Sequence, residues 1–256
     1  KHWSTNMIKR PSQQATYYAD MKIHFFTPCY GGMISEATFR SYMEFGCVHA
    51  IPNGVQFNLD TLTNESNVNK ARNSCAAKFL SQKCTHMMFI DADIQFLPES
   101  IAKLASHDVD LVGGIYPQKK FELQADNTYN TTAVVNTIDN GETRGDLVEV
   151  GTMGTGFMLI KRTVFEKMIE AGAKPYTDSV SGLPSWDFFT CSIDSNGRYL
   201  TEDWHFCREW RRLGGKVWAD KTIPLAHWGT HKFEPKMEAL DPPAPKGSKF
   251  NKGWKI

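Results

Sequence analysis

Two aspartates separated by one residue, Asp91 and Asp93, follow an apolar run in this chain. The run, residues 87–90, predicts a buried strand, and Pro98 predicts that a helix begins directly afterwards, over about residues 99–106. Because ligands bind outside the carboxyl ends of strands in open α/β sheets, both carboxylates would face the same site. Such a pair can hold a hard divalent cation, and the cation in turn holds phosphate oxygens. The same pair also occurs in ordinary turns, so the surrounding elements must decide between the two interpretations.

A second pair of acids, Glu202 and Asp203, follows Thr201 and precedes Trp204. Thr201 predicts the N-terminal cap of a helix over residues 202–213. Acids in the first turn of a helix complement its dipole, which is a purely structural explanation. A carboxylate beside an apolar wall such as Trp204 can also act as a general base that takes a proton from an attacking hydroxyl group. The sequence leaves both explanations open.

Two late histidines, His227 and His231, are spaced like a pair of zinc ligands on a helix. Gly229 between them, and the lack of Cys or acidic residues nearby, disfavour a closed zinc site. One imidazole that joins an aspartate would suit Mn²⁺, which accepts mixed oxygen and nitrogen ligands. The remaining alternative is that both are ordinary loop histidines.

Two further segments carry groups that could contact a ligand. Arg72, in a predicted helix, either lies on a solvated face or reaches over the strand ends to a phosphate or a base. The segment at residues 27–32 follows the first predicted strand and contains Pro28, Gly31 and Gly32. These residues predict a tight loop in which the backbone can approach a ligand closely.

Strands that alternate with helices would position these groups. Apolar runs predict strands at residues 23–27, 54–59, 87–90, 109–114, 157–160 and, last, 216–219. Helices are predicted to begin after the capping residues Ser35, Ser66 or Asn67, Thr163 and Thr201. Residues 118–150, rich in Asn, Thr, Asp and Gly, predict a hairpin and loops. The alternation predicts an α/β fold with a mixed, mainly parallel sheet and helices on both faces.

The composition is ordinary for a soluble globular protein, with 41% hydrophobic and 22% charged residues among 256. A formal net charge of +1 argues against a general nucleic-acid or anionic-membrane binder. The lack of a membrane-length apolar run, a signal peptide and paired cysteines predicts a soluble, cytoplasmic protein with reduced thiols. Residues 1–20 are predicted to be an extension, residues 21–235 one domain, and residues 236–256 a tail.

The order of the motifs along the chain carries a family resemblance. The motifs are Thr27-Pro28 with Tyr30, Ala71-Arg72-Asn73, Asp91-Ala92-Asp93, Gly154-Thr155-Gly156-Phe157, Thr201-Glu202-Asp203 and His227. The chain resembles, from residue 21 to residue 231, a glycosyltransferase of the GT-A (Rossmann-like) fold and is similar to the family 2 transferases. Each motif is weak by itself, and their order and spacing together make the resemblance specific.

The resemblance implies a nucleotide-diphosphate sugar, UDP- or GDP-linked, as the donor, bound across the first strand ends. Thr27, Pro28 and Tyr30 would hold its base and ribose, and Arg72 would contact the nucleotide. Asp91 would lie near the ribose or the metal. The acceptor, a glycan, protein or small molecule, would bind beside residues 154–157.

The resemblance also implies a Mn²⁺ or Mg²⁺ cofactor and an acidic catalyst. Asp93, with Asp91, would ligate the metal, and His227 would match the late third ligand of many GT-A enzymes. Asp203, or else Glu202, would be the base if the reaction inverts the anomeric centre, which is the outcome we predict.

Departures from the family pattern leave two other functions open. The usual acidic pair after the second strand is missing, with Asn58 and Asp60 as the nearest substitutes. The Q-x-x-R-W motif of processive members is also absent, which favours single addition. The alternatives are a sugar nucleotidyltransferase, whose Gly-rich loop would carry Arg and Lys, and a non-catalytic nucleotide-sugar or carbohydrate-binding protein on the same scaffold.

Overall fold

The computed structural model of the protein describes residues 21–120, 122–123, 129–179, 181–229 and 231–234. The predicted N-terminal extension and the C-terminal tail, residues 1–20 and 236–256, lie outside these residues. Among the described residues, no helix is long and apolar enough to cross a membrane. The six cysteines are all free thiols.

Strands make up most of the regular structure. In chain order they are β1 (Lys22–Cys29), β2 (Gln56–Thr63), β3 (His86–Ile90), β4 (Ile94–Phe96), β5 (Leu111–Gly114), β6 (Glu122–Leu123), β7 (Tyr129–Asn130), β8 (Val135–Thr137), β9 (Thr143–Arg144), β10 (Leu147–Met153), β11 (Phe157–Lys161), β12 (Pro175–Thr177), β13 (Pro184–Trp186), β14 (Ser192–Ile193), β15 (Tyr199–Leu200), β16 (Val217–Asp220), β17 (Leu225–Trp228) and β18 (Lys232–Phe233). The α-helices are α1 (Glu36–Glu44), α2 (Val68–Leu80), α3 (Ser100–Ser106), α4 (Arg162–Glu170) and α5 (Glu202–Arg212). Helix α1 continues into a π-helical segment (Phe45–Ala50) and a 3₁₀ turn (Ile51–Asn53).

The main sheet has the strand order β2-β1-β3-β11-β5-β16-β10-β8, with β9 paired to β10. Strands β2, β1 and β3 are parallel neighbours, and so are β5 and β16. Strands β11 and β10 are antiparallel to both of their neighbours on this path. The predicted fold class, a mixed, mainly parallel sheet with helices on both faces, is confirmed and is consistent with a Rossmann-like GT-A fold.

Two hydrophobic clusters, one on each face, hold the helices to the sheet. On one face, Tyr42 of α1 and Leu104 of α3 belong to the cluster that contains Phe25 of β1. On the other face, α2, α4 and α5 contribute to the cluster that contains Phe89 of β3. Strand residues are buried on both faces because helices cover both, which explains why β3 is a continuous apolar run rather than an alternating pattern.

Several predicted boundaries are corrected by the structure. Lys161, not Thr163, is the N-cap of α4, which therefore begins at Arg162, two residues earlier than predicted. Helix α3 begins at Ser100, two residues after Pro98, because residues 98 and 99 form the preceding turn. The second strand runs to Thr63 rather than to residue 59, because it pairs with β1 over its whole length. The strand predicted to be the last, at residues 216–219, lies at 217–220 and is followed by β17 and β18.

A small second sheet, with the order β18-β17-β4, lies beside the acids at the end of β3. Strand β4 follows Asp93 in the sequence, and β17 pairs with it in antiparallel register, so that His227 faces Ile94. The amide of Trp228 also donates to the carbonyl of Asp93 at 2.8 Å. The late segment of the chain is thereby fixed beside the acids at the end of β3.

Candidate active site

The turn that contains Asp91 and Asp93 is held by backbone hydrogen bonds. Asp91 N–H donates to the carbonyl of Gly156 at 3.0 Å, and Ile94 N–H donates to the carbonyl of Asp91 at 3.2 Å. Ser35 N–H, at the start of α1, donates to the carbonyl of Ala92 at 2.7 Å. Two other segments of the chain, at Gly156 and Ser35, and one bond within the turn therefore fix it, while its two carboxylates have different partners.

Arg72 joins Asp91 to the start of α5. Its Nη2 lies 3.2 Å from Asp91 Oδ1, and its Nε lies 3.1 Å from Glu202 Oε1. The guanidinium is buried over the ring of Phe89, with 5.2 Å from Cζ to the ring centroid. Burial alone would lower the pKa of Arg72, but the charges of Asp91 and Glu202 raise it above its usual value. Arg72 is therefore a buried cation beside Asp91 and Glu202, and its contact with a phosphate or a base stays a prediction.

One nitrogen of this guanidinium, Nη1, is buried without a hydrogen-bond partner among the described residues. An unpaired buried donor is costly, so a ligand oxygen at this position would gain a hydrogen bond that the protein does not supply. An anionic ligand beside Arg72 would satisfy this donor.

Asp93 contacts His227 and Lys119. Its Oδ1 lies 3.2 Å from His227 Nε2, and its Oδ2 accepts a hydrogen bond from the Lys119 ammonium. Burial would raise the pKa of Asp93, but the hydrogen bonds with His227 and Lys119 lower it overall. Asp93 is therefore held as a carboxylate between two nitrogen groups.

His227 and Asp93, two of the three residues predicted to bind a metal, contact each other. His227 Nδ1 lies 2.8 Å from the carbonyl of Pro117 and must donate to it, because a carbonyl only accepts. Nε2 is then the nitrogen that faces Asp93, and a bond of Nδ1 to a backbone carbonyl is typical of metal-binding histidines. Asp91 does not join the pair, since it contacts Arg72, and no cluster of three or more possible metal ligands occurs among the described residues.

The two acids at the start of α5 have different environments. Glu202 is buried against Arg72, whereas Asp203 is half-buried and accepts hydrogen bonds at Oδ1 from the Thr201 hydroxyl and from Trp204 N–H. Burial raises the pKa of Asp203, the bond from Thr201 partly offsets this, and the charge of Glu202 raises it further. Thr201 is the N-cap residue, as predicted, but its side chain does not cap the helix backbone. The structure thus pairs Glu202 with a cation and Asp203 with a hydroxyl and an amide, and the role of either acid as a proton acceptor stays a prediction.

Tyr116 is a central residue that the sequence did not single out. Its hydroxyl accepts a hydrogen bond from Gly156 N–H at 2.9 Å, and its ring lies edge-on to His227 at 5.4 Å between centroids. Burial, and secondarily the charge of Asp91, raise the pKa of Tyr116 well above its usual value. A Cβ atom at Gly154 would lie 2.2 Å from this hydroxyl, which explains the glycine. The only sequence signal was its position just after the Gly113-Gly114 strand end.

The residues predicted to hold the nucleobase and ribose differ in their exposure to solvent. Thr27 is fully buried, and its Oγ1 lies 2.6 Å from the hydroxyl of Tyr42, so its side chain belongs to the core. Pro28 is partly exposed, and Tyr30 is 71% exposed on the turn that follows β1. Any side-chain contact with a base therefore falls to Pro28 and Tyr30, and this role stays a prediction.

Asp60, a candidate substitute for the missing acidic pair, is already neutralised by its neighbours. Its carboxylate lies 2.6 Å from His24 Nε2 and 2.7 Å from Lys78 Nζ. Asn58, the other candidate, donates to Gln82 Oε1 at 3.3 Å. These contacts give both side chains a structural role at the outer strand β2.

The chain matches no family model and no curated protein sequence. Among solved structures it is similar to the protein A197 from STIV, with 17% identity and a TM-score of 0.45 over 84% of this chain and 95% of that one. It is also similar to GalNAc-T7, solved with UDP, GalNAc and Mn²⁺, with 11% identity and a TM-score of 0.48 over 81% of this chain and 44% of that one. A third is 4-diphosphocytidyl-2C-methyl-D-erythritol synthase from Anaerococcus prevotii, with 12% identity and a TM-score of 0.33 over 64% of this chain and 81% of that one.

The second of these structures is a GT-A glycosyltransferase and the third is a nucleotidyltransferase. Such low identities and TM-scores below 0.5 say nothing about a shared substrate or mechanism. Membership of glycosyltransferase family 2 therefore stays a prediction, and the function must be argued from the side chains at the strand ends.

Proposed function

We propose that this protein is a metal-dependent glycosyltransferase that moves a sugar from a nucleotide-diphosphate sugar to an acceptor hydroxyl, with inversion. The observation that carries the proposal is the pairing of His227 Nε2 with Asp93 Oδ1 at 3.2 Å, with Nδ1 committed to Pro117. This pairing lies at the carboxyl end of β3, where α/β sheets bind their ligands. Arg72 adds a buried cation at the same edge of the sheet.

Asp93 and His227 would hold a Mn²⁺ or Mg²⁺ ion, and phosphate oxygens of the donor would complete its ligands. The bound metal would neutralise the charge that develops on the leaving diphosphate. Arg72, with its unpaired Nη1, would donate a charge-assisted hydrogen bond to the nucleotide. Lys119 contacts Asp93 without a ligand and would be released to the diphosphate when a metal binds the carboxylate.

Asp203 would act as the general base. It would accept the proton of the acceptor hydroxyl while that oxygen forms a bond to the anomeric carbon of the donor. The bond between the anomeric carbon and the diphosphate oxygen breaks at the same time, and its electron pair leaves with the nucleoside diphosphate. The raised pKa of Asp203 suits this role, because a stronger base takes the proton more readily at neutral pH. Buried Glu202 would keep Arg72 in place.

A nucleotide-sugar screen tests the proposal. UDP- and GDP-linked sugars are incubated with simple acceptors, with Mn²⁺ and with EDTA, and the release of UDP or GDP is measured. We expect release that depends on the metal and is lost in the Asp93→Ala variant. Full activity in EDTA contradicts the metal assignment, and nucleotide binding without any turnover supports a binding protein on the same scaffold instead.

A further inference from the structure

A cleft of about 530 Å³ lies between strands β8 and β10 and helix α5. The side chains that line it are mainly polar, cationic or aromatic and include Asn136, Thr152, Trp204, Arg198, Arg208 and Arg211. The last two arginines and Trp204 are spaced at three and four residues, so they share one face of α5. The proposed function assigns no role to this cleft.

The cleft adjoins the proposed base along the same helix. Asp203 precedes Trp204 in the first turn of α5, and Cys207, one turn later, donates through Sγ to the carbonyl of Met153 at 3.7 Å. This contact holds the helix against the end of β10, between Thr152 in the cleft and Gly154 beside Tyr116. A molecule in the cleft would therefore lie against Trp204, the residue that follows Asp203.

Three arginines line the cleft, and each is paired with a carboxylate. Arg198 and Arg208 share one carboxylate, that of Asp194, at 2.8 and 2.7 Å. Arg211 lies 2.9 Å from Glu149, which also pairs with a lysine. Among the described residues that line the cleft, these three arginines are the charged groups, and no acid is included. The three arginines and the two carboxylates that pair with them leave one positive charge in excess.

Resting on the proposed function, we propose that this cleft binds the acceptor, and that the acceptor is a sugar that carries a carboxylate or phosphate group. Guanidinium groups bind both oxyanions in a bidentate manner, and a charge-assisted pair of this kind is stronger than a neutral hydrogen bond. Trp204 offers a flat apolar surface for a sugar ring, and Asn136 and Thr152 offer polar groups for its hydroxyls.

Binding of four probes to the full chain tests the inference by calorimetry. The probes are methyl β-D-glucuronide, glucose 6-phosphate, methyl β-D-glucoside and inorganic phosphate, and each is titrated with and without UDP and Mn²⁺. We expect at least one anionic sugar to bind about tenfold or more tightly than the neutral glycoside, since hydrogen bonds to charged groups add this much. The two anionic sugars separate a carboxylate site from a phosphate site.

Arg208→Gln and Arg212→Gln form a matched pair of variants. Arg212 lies on the same helix but pairs with Glu209 at the surface and does not line the cleft. We expect the Arg208 change to remove the preference for the anionic sugar and the Arg212 change to keep it. If Arg208→Gln fails to fold, as judged by circular dichroism, the comparison of anionic and neutral sugars on the unaltered chain still tests the inference.

Failure of this inference is distinguishable from failure of the proposed function, because UDP is titrated separately. UDP binding without any preference for anionic over neutral sugars overturns the inference alone. Inorganic phosphate that binds as tightly as the anionic sugars also overturns it, because the cleft would then be a simple anion site. Loss of UDP binding together with sugar binding would overturn the proposed function instead.

Discussion

His227 and Asp93 lie 3.2 Å apart, nitrogen to oxygen, although 133 positions separate them along the chain. The ring of His227 is fixed from its other nitrogen by the carbonyl of Pro117, so its orientation does not depend on Asp93. The carboxylate of Asp93 is shared with Lys119. This arrangement leads to predictions about both nitrogen groups.

The first prediction concerns the His227→Ala variant. Loss of a direct ligand weakens metal binding, so we expect the Mn²⁺ concentration for half-maximal rate to rise by at least about tenfold. His231→Ala is the matched control, because it removes an imidazole from the same segment without removing the contact with Asp93. Titration of Mn²⁺ against the rate of UDP or GDP release gives the result. Equal shifts in the two variants would contradict the assignment.

The second prediction concerns the Lys119→Gln variant. Its ammonium competes with a metal for Asp93, so its removal should lower the Mn²⁺ concentration needed for binding in the absence of nucleotide. The same change should weaken binding of UDP, because one cation near the diphosphate is lost. Both effects are measured by calorimetry, with Lys83→Gln on the exposed surface as the control. Unchanged Mn²⁺ binding would show that the ion pair does not compete.

The third prediction concerns the proposed base. We expect Asp203→Asn to reduce kcat by about a hundred- to ten-thousand-fold, the usual contribution of general-base catalysis, with UDP binding nearly unchanged. Additional Mn²⁺ should not restore the rate. Glu202→Gln should instead loosen Arg72 and weaken UDP binding. A normal rate in Asp203→Asn and a lost rate in Glu202→Gln would move the role to Glu202.

The fourth prediction concerns the pH dependence of kcat/KM. Asp203 must be deprotonated to accept a proton, so activity falls as the pH drops through its raised pKa. The hydroxyl of Thr201 lowers that pKa by its hydrogen bond, so Thr201→Val should move the acidic limb to higher pH. The helix should be retained, because this side chain makes no capping bond. If the acidic limb does not shift in Thr201→Val, the fall in activity at low pH does not come from protonation of Asp203.

The fifth prediction concerns the glycine beside Tyr116. A Cβ at position 154 would meet the Tyr116 hydroxyl at 2.2 Å and Val134 Cγ1 at 2.7 Å. We expect Gly154→Ala to reduce the free energy of unfolding by about 1–3 kcal/mol, as for other overpacked sites, and Tyr116→Phe to restore part of it. Urea denaturation measures both. Gly46→Ala is the control, since its Cβ would meet only Phe57 at 3.8 Å.

The acids at the end of β3 could be predicted from the sequence, whereas the sequence left open whether Arg72 lies on a solvated face or at the strand ends. A continuous apolar run followed by two acids is a local pattern, and it directly predicts where a buried strand ends. The start of α5 could also be predicted from a local pattern, because an acidic first turn follows a capping residue. These patterns depend only on neighbouring residues in the chain, so they can be recognised without knowledge of the fold.

The division of partners among these acids was decided by the tertiary structure alone. An apolar run does not reveal strand direction, and β11 inserts antiparallel between β3 and β5, which brings Gly156 to Asp91. Asp91 consequently turns to Arg72, and Asp93 turns to His227. Lys119 lies in a segment without periodicity, so only the folded chain places it on Asp93.

The choice between Glu202 and Asp203 follows the same physical rule. Both acids stand in one helical turn, and their sequence context is nearly identical. The helix rotates successive side chains by about 100°, so the two acids face different neighbours: Glu202 meets Arg72, and Asp203 is half-buried beside it. The sequence determined which residue types stand at the strand ends and helix start, whereas long-range packing decided which atoms meet.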